Sequence, residues 1–323
     1  EFYNRKDLNT VRCLCFAVGG HYDVIPEKAT EDSSPTTKTF VPGTVRVFFR
    51  GTDTFRNVVA DAKALRIPHP PKRGVPFWSQ PAVHHGFLDA WRGDKLKESV
   101  MEFVLRHANE LQKEAEEAAA GSSNVSPIVV DVSGHSLGGS IAVLASYDLA
   151  LALRGGKKAK KSSSGAAKPE VRLYTFGCPR TGNISFTQDF NRVVPNCWNV
   201  INDNDIVPAV PHTPGVLRGY RRHGRSVIIC EDGSIVVKPS RKKKLEREKR
   251  VLKLGSAVTA HETGGYRRSL RAVFEKEGML NPDDERSTPE LRALDERLGH
   301  LDAIITEARA DPNRSIKILP GAT

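Results

Sequence analysis

Ile128-Val129-Val130-Asp131-Val132-Ser133-Gly134-His135-Ser136-Leu137-Gly138-Gly139-Ser140, running on through a small-residue apolar stretch to Leu149, decides how this chain is read. The β-branched run Ile128, Val129, Val130 and Val132 is the kind found in a central strand buried on both faces. A sharp turn follows at Gly134 to Gly139, and from Ser140 the pattern is that of a buried helix. One serine sits at the tip of this strand, turn and helix. A serine held on so tight a turn adopts strained dihedrals, and strand and helix must approach closely around it. Gly134 and Gly138 remove the side chains that would clash. Ser136 is therefore expected exposed at the carboxyl end of the sheet. The N–H of Leu137 opens the helix and points where a negative oxygen could develop, aided by the helix dipole. A bare G-x-S-x-G arises by chance about once in ten chains of this length, so the flanking strand and helix carry the weight.

Upstream, Thr44-Val45-Arg46-Val47-Phe48-Phe49-Arg50 reads as a core strand stopping at Gly51-Thr52-Asp53. In open α/β sheets ligands lie at the carboxyl edge, so Thr52 is a candidate second donor to an oxyanion. An N-cap for the following helix is an equal reading and does not exclude the first. That helix, Thr54 to Leu65, places Phe55, Val58, Val59, Ala62 and Leu65 on one stripe. The Pro-rich stretch Arg66 to Pro81 follows, with Phe77 and Trp78 inside it. A short amphipathic helix between such segments beside a nucleophile is a lid candidate; an ordinary packed helix is the alternative. His84 and His85 read as structural or site-lining residues rather than metal ligands, and neither metal nor cofactor is expected.

A long helix is predicted from Asp94 to about Ala120, with Leu96, Val100, Phe103, Val104 and Leu111 facing the core. The strand Val171 to Phe176, a helix near Ser185 to Arg192 and the strand Cys197 to Ile201 continue an alternation that argues for a mostly parallel, doubly wound sheet. Val227 to Cys230 and Ile235 to Val237 read as an antiparallel hairpin on its edge.

The chain has 323 residues and a formal net charge of +11, the excess concentrated in Arg154 to Lys168 and Arg241 to Arg250. Such runs read as solvated insertions, with attraction to anionic lipid, at a membrane surface or lipid droplet, or to nucleic acid as the sharper interpretation. The division expected is one α/β domain over 1–278, with disordered basic insertions near 154–170 and 240–250, and a polar tail over 279–323. No window offers 18 uninterrupted apolar residues, so no membrane span is expected. The first residue is Glu1, which points to an incomplete or processed N-terminus, and a leader cannot be judged. Five cysteines are too few and too odd in number for a disulfide framework, which favours a reducing, intracellular compartment. The basic runs lack the aromatic interleaving of a nucleic-acid binder, and no nucleic-acid partner is expected. Oligomeric state is not readable.

A serine hydroxyl needs a base, usually histidine, oriented by a carboxylate. Ser136, Asp205 and His261 occur in the chain order that an α/β-hydrolase sheet produces. Asp203 is the local rival of Asp205 and reads better as a turn former.

The residues then carry a resemblance. Phe48 to Thr52 (F-F-R-G-T), Arg56 to Asp61 (R-N-V-V-A-D), Val83 to Phe87 (V-H-H-G-F), Gly134 to Gly139 (G-H-S-L-G-G), Phe176 to Asn183 (F-G-C-P-R-T-G-N), Asn204 to Pro208 (N-D-I-V-P) and His261 to Tyr266 (H-x-x-x-G-Y) occur in the order seen in class 3, or fungal-type, lipases, which the chain resembles over about Val45 to Tyr266. The resemblance implies an α/β-hydrolase fold with helices on both faces of the sheet, and serine-dependent hydrolysis of lipid esters such as acylglycerols. It further implies Ser136 as nucleophile, Asp205 and His261 as its partners, Thr52 and Leu137 as oxyanion donors, and a lid after Thr52. A phospholipase A1 or galactolipase, and an inactive lipase-like interaction module, are the alternatives.

Overall fold

The computed structural model describes residues 2–3, 12–25, 37–51, 65–76, 79–118, 126–155, 168–213, 219–254 and 258–280. Thr52, the lid candidates Phe55, Val58, Val59 and Ala62, Phe77, Trp78, and nearly all of the polar tail lie outside these residues. So does 156–167 of the first basic insertion.

An eight-stranded sheet runs, in spatial order, Phe2–Tyr3, Arg12–Val18, Thr44–Arg50, Val129–His135, Glu170–Phe176, Asn196–Asn202, Arg225–Ile229 and Ile235–Val237. Spatial order follows chain order, because each excursion returns to the next position along the sheet. The four strands from Thr44–Arg50 to Asn196–Asn202 pair in parallel, and Arg12–Val18 pairs antiparallel with Thr44–Arg50. This mostly parallel sheet with helical crossovers is the α/β-hydrolase fold.

The register sets the layers. Val45, Val47 and Phe49 face the core beside Val130 and Val132, then Val171 and Leu173. The elbow helix, Leu137–Gly155, lies on this face, with Ile141, Ala142, Val143, Leu144, Ala145 and Leu149 fully buried. It is long and apolar enough to cross a bilayer, yet 67% of that window is buried inside the fold.

The strand leading to Ser136, Val129–His135, is not buried on both faces as its composition suggests. Its pattern alternates, with Val129, Asp131 and Ser133 half-buried on the second face. The charged groups Arg46, Asp131 and Arg172 meet there in register, and Phe48 stays 42% exposed. At the carboxyl end of that face, Tyr266 from the helix Thr263–Lys276 packs edge-on against Phe176 and His135.

The expected helix from Asp94 is preceded by another, His85–Arg92, and begins only at Leu96, running to Ala118. Asp94 and Lys95 between them have φ of 46° and 61°, which breaks the helical hydrogen bonding. Phe103 is only partly buried, while Val100, Val104, Ala108, Leu111 and Ala115 are buried.

The stretch 240–250, read from its charge as a disordered insertion, is instead part of a helix, Arg241–Leu254, with Arg247 and Val251 buried. One buried guanidinium and one valine, at i and i+4, anchor an otherwise solvated helix. Of 154–170, Arg154 and Gly155 end the elbow helix and Glu170 begins the next strand.

The chain divides into two compact units: Glu1–Ile228 with Val236–Tyr266, and Ile229–Ile235 with Arg267–Thr323. In the second, the turn at Gly233 lies against Ala272 and Lys276 of the last helix, and Lys276 Nζ donates to the carbonyl of Asp232 at 3.4 Å. All candidate site residues belong to the first.

Candidate active site

Ser136 has φ of 58°, the left-handed region that L residues adopt at a cost of about 1–3 kcal/mol unless the surroundings enforce it. Here they do. A Cβ on Gly134 would stand 2.3 Å from the carbonyl oxygen of Gly138, and one on Gly138 would stand 2.3 Å from that of Phe49. The Ser136 N–H donates to the carbonyl of Phe176 at 2.9 Å, and its own carbonyl accepts from Gly139 N at 3.0 Å. Leu137 is the first helical residue, so its N–H is among the amides without an intrahelical acceptor.

Ser136 itself is only 3% exposed, which differs from the exposed hydroxyl expected of the turn. The imidazole of His261 covers it, with Nε2 2.8 Å from Ser136 Oγ. His261 closes the four-residue helical turn Val258–His261, and its Nδ1 lies 2.9 Å from Asp205 Oδ2. With Nδ1–H donating to the carboxylate, Nε2 is the acceptor for the serine proton.

Asp205 follows the strand end at Asn202 and is fully buried. Its Oδ1 accepts from the N–H of Val207 at 2.8 Å; its Oδ2 also accepts from Tyr266 OH at 2.7 Å. The tyrosine oxygen in turn accepts from the N–H of Asn202 at 3.0 Å. Burial, followed by the adjacent Asp205 carboxylate, pushes the Tyr266 phenol well above its usual range, so it stays a donor. Asp203, the local rival, faces outward to Arg250 at 2.6 Å.

Three further residues hold this arrangement without having been singled out for it. Gly177 has φ of 60°, and a Cβ there would stand 2.9 Å from Asp205 Oδ2 and 3.0 Å from His261 Nδ1. His135 stacks on His261 at 4.8 Å, and its Nε2–H donates to the His261 carbonyl at 2.7 Å. Burial first, then the neighbouring His261, depresses the His135 imidazole to about 4, so it stays neutral beside His261. Arg247, from the basic helix, donates to the main-chain carbonyls of Asn202 and Asp205. Gly177 and Tyr266 stood inside recognisable motifs, whereas a buried arginine within a Lys/Arg run carries no sequence signal.

His84 is buried and stacks at 4.0 Å on Phe87, while His85 pairs with Asp89 at 3.2 Å on the surface. Among the described residues no cluster of three or more His, Cys, Asp or Glu could hold a metal. Thr52 lies outside the described residues, although its neighbour Gly51 lies within van der Waals reach of the elbow. A Cβ at Gly51 would be 2.7 Å from His135 O and 3.0 Å from Ser136 Cβ.

The family model described as "Lipase (class 3)" matches residues 46–214, just over half of the chain. A phospholipase A1-Igamma2 of Arabidopsis thaliana, described as chloroplastic, is 29% identical over 178 residues, covering 52% of this chain and 30% of that protein. A lipase of Rhizomucor miehei is 27% identical over 190 residues, 58% of this chain and 42% of that protein. The solved structure of a Rhizomucor miehei lipase propeptide complex is 27% identical, covers 60% of this chain and 51% of that one, and has a TM-score of 0.42. The chain thus spans less than half the length of these two curated relatives.

Proposed function

The chain belongs to the class 3 lipase family, and on that premise we propose that it is a serine hydrolase cleaving carboxylic esters of lipids, acylglycerols first, through an acyl-enzyme. The observation that carries this reading is the His261 imidazole lying 2.8 Å from Ser136 Oγ and 2.9 Å from Asp205 Oδ2. In the proposed reaction His261 Nε2 takes the Ser136 proton as Oγ attacks the ester carbonyl. Negative charge on the carbonyl oxygen is met by the N–H of Leu137 and by Thr52. The imidazolium, steadied by Asp205, passes the proton to the departing alcohol. Water then attacks the acyl carbonyl with His261 again as base, releasing the fatty acid and restoring the serine.

Ser136→Ala is expected to lower turnover on the order of 10⁶-fold, and Thr52→Ala about 10²- to 10³-fold. The direct test is a panel of tri-, di- and monoacylglycerols, phospholipids and galactolipids, with fluorophosphonate labelling of the parent and Ser136→Ala. Labelling of Ser136 with hydrolysis of acylglycerols supports the proposal. No labelling and no hydrolysis would favour the inactive interaction module.

A second reading, hydrolysis of a phospholipid acyl ester, is favoured by the similarity to a phospholipase A1 and by the basic helix, whose Arg241, Lys242, Lys243 and Lys249 are exposed. Each cation near an anionic membrane contributes about 1 kcal/mol of attraction. A preference for phosphatidylglycerol vesicles that falls with salt separates this reading from the first. The proposal extends to docking on a lipid droplet or anionic membrane, with Phe55, Val58, Val59 and Ala62 as the lid. It extends also to a reducing, intracellular compartment, resting on the odd cysteine count and tested by locating the tagged full-length protein.

A further inference from the structure

Under the basic helix lies a cavity of about 70 Å³, lined by Arg222, Lys244, Arg247, Glu248, Ser226 and Ile201 among others. A single water needs at least about 10–15 Å³, so there is room here for more than one water or for a small polyatomic ion.

Its charge is unbalanced. Glu248, the acid among these residues, is paired with Arg180 at 2.6 Å, outside the lining. Arg222 spends its guanidinium on the main-chain carbonyls of Cys178 and Pro208. Neither it nor Lys244 has a carboxylate within ion-pair distance among the described residues. Burial, together with Arg180 and Arg247 nearby, pushes Arg222 down to about 10. Burial and Arg222 likewise lower Lys244. These half-buried cations repel one another, which a bound anion would relieve.

Two polar atoms are also left over. Ser226 is 1% exposed and Arg247 6%, yet Ser226 Oγ and Arg247 Nε have no hydrogen-bond partner among the described residues. The Arg247 Nε lies 3.8 Å from the Asp203 carboxylate, too long to satisfy it. Buried donors of this kind ordinarily have an acceptor.

We propose that this cavity is a binding site for one phosphate-class oxyanion, either free in solution or carried as the headgroup of an anionic lipid. Such an anion accepts from Ser226 Oγ–H and Arg247 Nε–H and offsets the charge of Arg222 and Lys244. Because Arg247 also grips the carbonyls of Asn202 and Asp205, occupancy steadies the loop bearing the carboxylate. The proposal stands whether or not the protein hydrolyses esters.

The test is calorimetric titration of the intact chain with inorganic phosphate in chloride buffer of matched ionic strength, with thermal unfolding alongside. One-to-one binding is expected, with a midpoint rise of about 4 °C when phosphate is a hundredfold above its dissociation constant. Lys244→Gln and Ser226→Ala should each weaken binding about tenfold, whereas Lys242→Gln, exposed on the same helix, should leave it unchanged. Ser226→Ala carries the comparison if Lys244→Gln fails to fold. Vesicles of phosphatidic acid in phosphatidylcholine, set against soluble glycerol phosphate, separate the two sources: sensitivity to Ser226→Ala, which leaves every exposed cation in place, supports the site in either arm. Absence of binding in both arms, or phosphate binding that ignores Lys244→Gln and Ser226→Ala, overturns it.

Discussion

Gly177 has no room for a methyl group, because its Cα faces the contact between Asp205 and His261 and its φ is 60°. Gly177→Ala is accordingly expected to spread that pair and to cost about 1–3 kcal/mol of stability, with a larger loss in turnover than in substrate affinity. Steady-state kinetics with denaturant unfolding would check it; a variant with parental turnover would refute it. Tyr266 holds the other side of the same carboxylate. Tyr266→Phe removes a donor to Asp205 and leaves the buried Asn202 N–H without its acceptor, so a loss of about 1–3 kcal/mol is expected in urea unfolding. At this scale the residue types were legible: a serine on a glycine turn, an acid after a strand and a late histidine. Burial of the Ser136 hydroxyl was not, because the covering imidazole comes from 125 residues away in the chain.

The two helices that matter most to the site are held in opposite ways. The elbow helix is anchored by apolar burial, and Leu144, with no solvent exposure, should cost about 2–5 kcal/mol on Leu144→Ala in denaturant unfolding. The basic helix is held by few groups: buried Val251, Arg247 to the carbonyls of Asn202 and Asp205, Glu248 to Arg180, and Arg250 to Asp203. Arg247→Ala strips donors from two buried carbonyls, and a loss of about 2–3 kcal/mol is expected, together with reduced turnover because the Asp205 loop is loosened. Arg247→Lys should restore little of it, since the Nη2 that donates to both carbonyls lies one bond further from the backbone than a lysine Nζ. Comparing unfolding midpoints and turnover of the two variants tests this. Charge alone suggested a solvated run here, since periodicity cannot mark one buried cation among eight lysines and arginines.

For the molecule as a whole, acid is the predicted weakness. Burial holds His135 at about 4, and burial with the Arg222 charge holds His223 at about 3, against an ordinary imidazole value of 6.5. Both are neutral when folded and take up protons more readily when unfolded, so their folded environment costs nothing above about pH 6.5 and stability is lost as pH falls below it. The loss for His135 accumulates down to about pH 4, and for His223 to about pH 3, several kcal/mol together. Thermal midpoints measured from pH 7.5 to 4 should fall steadily below 6.5, and a flat profile would contradict the assignment. Hydrophobic period and glycine punctuation act over a few neighbouring residues, so the sequence by itself determined the strand, elbow and buried helix around Ser136, the alternation that makes a parallel sheet, and the short set of candidate acids and histidines for that serine. Only the tertiary structure decided which acid meets the imidazole, that Gly177 and Tyr266 close around it, and that a charged run folds back as a helix with Arg247 beneath it. Those outcomes depend on groups dozens of residues apart arriving at one sheet edge, where burial and unmet hydrogen bonds, rather than local propensity, select the partners.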